Sequence, residues 1–124
     1  MGKRMKKRMT EDTQQILETA ICAAREAGSL LVSRMNKGRP GGITEKGELD
    51  YVTEVDRDSE DLIRGLVRSR HPDHSFLAEE GGLAAGRDES LWVVDPLDGT
   101  INYMSSLPIF CVSIAFMRNG AVEV

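Results

Sequence analysis

Leu91-Trp92-Val93-Val94-Asp95-Pro96-Leu97-Asp98-Gly99-Thr100 is the run on which the reading of this chain turns. Its first five residues are apolar and β-favouring until a carboxylate closes them, so Leu91–Asp95 reads as a strand that Pro96 ends. A short helix is then expected over Gly99–Tyr103. At such a strand-to-helix junction each residue has a chemical use. Asp95 and Asp98 are hard oxygen donors of the kind magnesium takes. Pro96 stiffens the turn and lacks an N–H, so the turned backbone can aim the Leu97 carbonyl at the same ion. Gly99 and Thr100 open the helix, whose unpaired N–H groups and positive dipole end favour a phosphate oxygen. The same letters also spell an aspartate-rich turn with Asp98 as a helix cap, because Asp-Pro and Asp-Gly are ordinary turn pairs. The run alone leaves both readings open.

Upstream, Ser75–Glu79 reads as a short strand ending in the pair Glu79-Glu80, followed by a loop over Gly81–Glu89. Adjacent strand residues point to opposite faces, so one glutamate can reach a metal while the other supports it from behind; a solvated loop start is the plainer reading. A helix over Arg57–Arg70 has Leu62, Ile63, Leu66 and Val67 on one side and stops before Pro72. Before it, Tyr51–Val55 reads as a short strand, with Asp56 either capping the helix or orienting a hydroxyl or water. Residues 12–35 form an amphipathic helix whose Ile16, Ala20, Ala24, Ala27, Leu31 and Met35 recur at helical spacing. Asp12 and Gln15 offer a capping box, and Gly38, Pro40, Gly41 and Gly42 break the helix into a mobile loop.

Downstream, Ile109–Met117 is β-rich, and Asn119-Gly120 is a two-residue hairpin signal that makes Ala121–Val124 the start of a return strand. The sequence stops inside that strand. A cut return arm implies an open edge and a truncated chain, or a dimer built through Ala121–Val124. His71 and His74 read as surface residues and Trp92 as core. Cys22 and Cys111 match no metal spacing and read as buried free thiols of a reducing cytoplasm.

Composition narrows the function classes. With 124 residues, 40% hydrophobic and 29% charged, the chain has the make-up of one folded domain rather than of a disordered segment. The net charge is −4 although residues 1–9 carry Lys3, Arg4, Lys6, Lys7 and Arg8, so the body is more acidic than the total. That balance argues against nucleic acid as the main ligand, while bound metal would still let an acidic site receive an anion. The basic start reads as a solvated, disordered tail. No segment approaches the ~20 apolar residues of a membrane span, and nothing resembles a secretory signal. No membrane partner and a cytoplasmic location are therefore expected.

Three blocks, taken in order, carry a resemblance: Asp50-Tyr51-Val52-Thr53-Glu54-Val55-Asp56, Phe76-Leu77-Ala78-Glu79-Glu80, and Trp92 through Tyr103, continued by Pro108 and Val112-Ser113-Ile114-Ala115. The chain resembles the inositol monophosphatase family of lithium-sensitive, magnesium-dependent phosphatases from about residue 12 to its end. The resemblance implies an α+β fold, with residues 10–124 as the N-terminal portion of the layered αβαβα architecture shared with fructose bisphosphatases. It implies Mg2+ as cofactor: Glu79, Asp95 and the Leu97 carbonyl would hold one ion, and Asp95 with Asp98 a second. Gly99 and Thr100 would cradle the phosphate, beside Glu79, Leu97 and Asp98. Thr100, paired with Asp56 and helped by Glu79, would orient and deprotonate the attacking water. Lys46 matches a mobile-loop lysine, and Glu80 would stand behind the metal ligands.

Ala78 stands where many relatives have glycine. A further aspartate motif of the family's C-terminal half is not in this sequence, so the chain alone is expected to bind metal weakly and catalyse poorly. The implied substrate is a small phosphate monoester, inositol monophosphate first, and the implied assembly is a homodimer of the full-length protein. Fructose 1,6-bisphosphate, a 3′-phosphorylated adenosine nucleotide or histidinol phosphate are alternatives in the same chemistry. A non-catalytic metal-binding role, or a regulatory role with the transcription machinery, is the alternative outside it.

Overall fold

The computed structural model describes residues 10–36, 45–79, 82–84 and 89–124. The basic segment 1–9, the Gly/Pro-rich loop at 38–42, Glu80 and the side chain of Lys46 lie outside the described residues. The chain runs α1 (Glu11–Asn36), α2 (Glu45–Arg70), β1 (Ser75–Ala78), β2 (Gly82–Ala84), β3 (Ser90–Asp98), α3 (Thr100–Met104), β4 (Cys111–Arg118) and β5 (Ala121–Val122).

Helix α1 is built as its periodicity predicts, with Ile16, Ala20, Ala23, Ala27 and Leu31 buried. The stripe passes through Ala23 rather than the expected Ala24, and its small residues let α2 lie close. The cap also differs from the expected Asp12/Gln15 box. Thr10 starts the helix: its hydroxyl oxygen accepts the Thr13 N–H at 3.1 Å, leaving Glu11 and Asp12 in the first turn, where the helix dipole favours them.

Helix α2 corrects a larger expectation. Tyr51–Val55 is not a strand, and Asp56 is not a helix cap; both lie inside a helix that begins at Glu45. The buried positions Val52, Val55, Ser59, Ile63 and Val67 repeat every three or four residues, and this periodic burial outweighs the β preference of a Tyr-Val-Thr-Glu-Val run. Thr53 fits the helix by donating its hydroxyl to the Leu49 carbonyl one turn back, at 2.8 Å.

Among the described residues the strands form one five-stranded sheet in the order β2-β1-β3-β4-β5. The β1–β3 pair is parallel and the other three pairs are antiparallel. Strand β2 lies within the stretch expected to be loop. The register aligns Phe76, Trp92 and Phe116 in one row, and Ala78, Val94 and Ile114 in the next. These rows pack under α1 and α2 on Ile16, Ala20, Ala23, Ala27, Ile63 and Val67. The opposite, outer face carries Leu77, Val93 and Ala115 in the intervening row. Helices on one face of a mixed sheet give the α+β architecture. A second cluster of Leu31, Val52, Val55, Leu97 and Tyr103 sits where β3 meets α3.

The hairpin forms as expected: Asn119 (φ 50°) and Gly120 (φ 81°) are both left-handed, as a two-residue primed turn requires. The return strand reaches only Val122 before Glu123 and Val124 bond back to Phe116.

The histidines are not simple surface residues. Trp92 Nε1–H donates to His74 Nδ1 at 3.0 Å, His71 stacks on His74 at 4.7 Å, and His71 Nε2 lies 2.9 Å from the Thr19 hydroxyl. The Pro72-Asp73 turn folds both rings back over the core tryptophan. Both cysteines are free, but neither is buried as expected: Cys22 is half-buried and Cys111 is exposed, since strand alternation puts Cys111 on the outer face of β4. No helix among the described residues is long and apolar enough to cross a membrane.

Candidate metal centre

Strand β3 does not end at Pro96; it continues to Asp98 through a bulge. Asp95 pairs with Ser113 and Asp98 with Cys111, so three steps on β3 match two on β4. The burial pattern of β3 alternates up to Asp95 and then places Pro96 and Leu97 side by side inside. In a regular strand, residues three apart face opposite sides. One inserted residue turns Asp95 and Asp98 to the same side. Proline is tolerated there because a bulge needs no ladder N–H from it.

The parallel register then adds the third carboxylate. Ala78, the last residue of β1, lies beside Val94, and Glu79, in the turn just past the strand rather than at its end as expected, lines the same pocket as Asp95. Glu79, Asp95, Leu97, Asp98, Gly99 and Thr100 line one pocket of about 320 Å³, together with Ile101 and Asn102. Asn102 is a residue that the sequence reading missed; its side-chain amide donates to the Ile109 carbonyl at 2.9 Å and ties down the segment after α3.

The turn is held locally. The Leu97 N–H donates to Asp95 Oδ1 at 3.2 Å, the aspartate-to-i+2 bond typical of such turns. Gly99 is left-handed at φ +91°, and a Cβ there would stand 2.9 Å from the Ile109 carbonyl oxygen, so glycine is required twice over. The Thr100 hydroxyl donates to the Leu97 carbonyl at 3.4 Å, and Asp56 is not among the residues that line the pocket. Asp56 itself is 6% exposed on α2. Three residues on, and on the same helical face, the fully buried Ser59 donates its hydroxyl to the Pro96 carbonyl at 2.8 Å. Ser59 also went unnoticed in the sequence; the signal was its i+3 spacing from Asp56, hidden while residues 51–55 read as strand.

The electrostatics favour a cation. Among the described residues none of Glu79, Asp95 and Asp98 makes an ion pair, so three carboxylates surround one pocket without a compensating charge. The neighbouring Cys111 thiol donates to Asp98 Oδ2 at 3.8 Å; although the residue is exposed, partial loss of water around the thiol, followed by the Asp98 charge, pushes its pKa up. No three acidic, histidine or cysteine side chains among the described residues close on a single point. In chemical type, the carboxylates and the Leu97 carbonyl are the hard oxygen donors that magnesium takes. The donor set therefore fits the implied metal.

Comparison with known proteins shows what the chain is similar to. The model of the inositol monophosphatase family matches residues 12–124. The Nus factor SuhB of Vibrio cholerae is 42% identical over 110 residues, covering 88% of this chain and 41% of the relative. Among solved structures, the extragenic suppressor protein SuhB from Bartonella henselae superposes with a TM-score of 0.76 at 32% identity, covering 87% of this chain and 41% of that one. The inositol monophosphatase from Anabaena (Nostoc) gives 0.74 at 38% identity, covering 91% and 39%. This chain thus spans about two fifths of the length of the proteins it matches.

Proposed function

The chain belongs to the inositol monophosphatase family, and from that premise we propose that the full-length protein hydrolyses a small phosphate monoester, inositol monophosphate foremost, with Mg2+ as cofactor. The observation that carries this reading is the β3 bulge, which turns Asp95 and Asp98 to one face beside Glu79. Glu79, Asp95, Asp98 and the Leu97 carbonyl would hold the metal. When bound, such ions acidify a water and neutralise charge on the phosphoryl and leaving oxygens. The chain's own part is positioning. The backbone N–H groups at Gly99 and Thr100 receive phosphate oxygens. In this reading the Thr100 hydroxyl, paired with Asp56, orients the attacking water, and Glu79 takes the proton that the water gives up. Lys46 and Glu80 complete the proposal from positions outside the described side chains. Because the relatives are more than twice as long, catalysis belongs to the longer protein, for which we also propose a homodimer.

The test is magnesium-dependent phosphate release by full-length Asp95→Asn. Losing several kcal/mol of charge stabilisation slows the reaction on the order of 10²–10³-fold, with unchanged folding. A variant as fast as the wild type defeats the proposal. A panel with inositol monophosphate, fructose 1,6-bisphosphate, a 3′-phosphorylated adenosine nucleotide and histidinol phosphate assigns the substrate.

One observation favours a second reading. The Vibrio relative is named a Nus factor, so a role with the transcription machinery, nucleic acid included, stands beside catalysis despite the acidic composition. Binding of the full-length protein to RNA polymerase or RNA, with and without residues 1–9, tests it; no binding in either form removes it.

A further inference from the structure

The bulge that makes the site has to be held against its own tendency to relax into a regular strand. Pro96 and Leu97 have no partner residue on β4, and Pro96 has no N–H to give. Among the described residues, and apart from the long Thr100 hydroxyl bond to the Leu97 carbonyl at 3.4 Å, two contacts hold the insertion. One is the Leu97 N–H bond to Asp95 Oδ1, long at 3.2 Å and dependent on a carboxylate oxygen that a cation would draw away. The other is the Ser59 hydroxyl bond to the Pro96 carbonyl, 2.8 Å long and fully buried. Ser59 uses no group that the proposed site needs. It also lies one turn from Asp56 on the buried face of α2, so a single hydroxyl ties the helix carrying Asp56 to the peptide between Asp95 and Asp98.

We infer that Ser59 is a positioning residue of the metal site: by anchoring the Pro96 carbonyl to α2 it keeps Asp95, the Leu97 carbonyl and Asp98 in the geometry that receives the ion. This inference rests on the metal reading above. Removing the hydroxyl leaves a buried carbonyl without its donor, and the bulge shifts or breathes. Supports behind metal ligands typically change affinity 10–100-fold when lost.

The experiment uses the full-length protein without substrate and measures Mn2+ affinity from the free-ion electron paramagnetic resonance signal. Amide hydrogen exchange of the metal-free protein is followed at Leu97, Asp98 and Gly99. Ser59→Ala is expected to weaken Mn2+ binding about tenfold and to speed exchange at those amides. Thr19→Val serves as the control for lost stability. It removes an equally buried hydroxyl, bonded to Gln15 and His71, that shares no partner with the site, so its Mn2+ affinity stays within about twofold of wild type. Ser59→Ala binding Mn2+ as the wild type does, while Asp95→Asn loses it, overturns the positioning role alone. Asp95→Asn retaining Mn2+ affinity overturns the metal reading on which it stands.

Discussion

Alanine at Gly99 tests the close approach of backbone at the site, and two other glycines make the test quantitative. At φ +91° an L-residue pays about 1–2 kcal/mol for the left-handed backbone. Its Cβ would also stand 2.9 Å from the Ile109 carbonyl oxygen and 3.2 Å from Phe110 Cα. Both are main-chain atoms, so no rotamer change relieves the overlap, and overpacking adds about 1–3 kcal/mol. The sum predicts that Gly99→Ala costs roughly 2–5 kcal/mol. Gly120 has φ +81° with nothing within 4 Å of a built Cβ, so Gly120→Ala should show the backbone cost alone, about 1–2 kcal/mol. Gly28 lies within α1, also with open space, and Gly28→Ala should stabilise by about 0.5–1 kcal/mol. Urea unfolding followed by circular dichroism, with shifts in midpoint at constant slope, ranks the three. Gly99→Ala no more costly than Gly120→Ala would refute the claim that the segment after α3 presses on the site.

Two further perturbations probe the packing. Burial, followed by the neighbouring His74, lowers the His71 pKa below its ordinary 6.5. As pH falls through that value the unfolded chain takes the proton first, so stability declines from about pH 7 down towards the folded pKa and is unaffected above it; equal acid sensitivity in His71→Gln would contradict this. Tyr103 is 2% exposed and donates its hydroxyl to the Leu31 carbonyl at 2.8 Å, joining α3 to α1. Tyr103→Phe should cost about 1 kcal/mol in urea unfolding, and a variant as stable as the wild type would argue against that bond.

What could be read in advance was what local signals determine. Helix α1 followed from the spacing of Ile16, Ala20, Ala27 and Leu31, and the hairpin from Asn119-Gly120, because periodicity and turn chemistry act over a few residues. The start of α2 did not, since Tyr51, Val52, Thr53 and Val55 prefer strands locally and are helical only because Val52 and Val55 continue a buried stripe through Ser59 and Ile63. Proline misled in the same way. Pro96 looked like the end of a strand, yet it sits in the bulge of β3, where neither it nor Leu97 has a partner on β4. Glu79, Asp95, Leu97, Asp98, Gly99 and Thr100 of the pocket were named from the sequence and Ile101 and Asn102 were not, but the reason Asp95 and Asp98 share a side is the register shift, a property of two strands that neither shows alone.

That shift also separates folding from chemistry. On β3, Trp92 and Val94 face the helices and build the core, whereas Asp95 and Asp98 face outward with Glu79, away from it. Substituting an outward carboxylate removes charge from the pocket without opening a cavity, so Asp95→Asn can change rate at nearly constant stability. Leu97 cannot be treated so. The residue lines the pocket while its side chain, 1% exposed, packs on Leu31, Val52, Val55 and Tyr103. Leu97→Ala leaves the donor in place yet costs about 2–5 kcal/mol through the cavity, and any loss of metal affinity it brings reports the position of the bulge rather than the presence of a ligand. The carboxylates are where the chemistry is tested; Leu97 and Ser59 are where the support beneath it is tested.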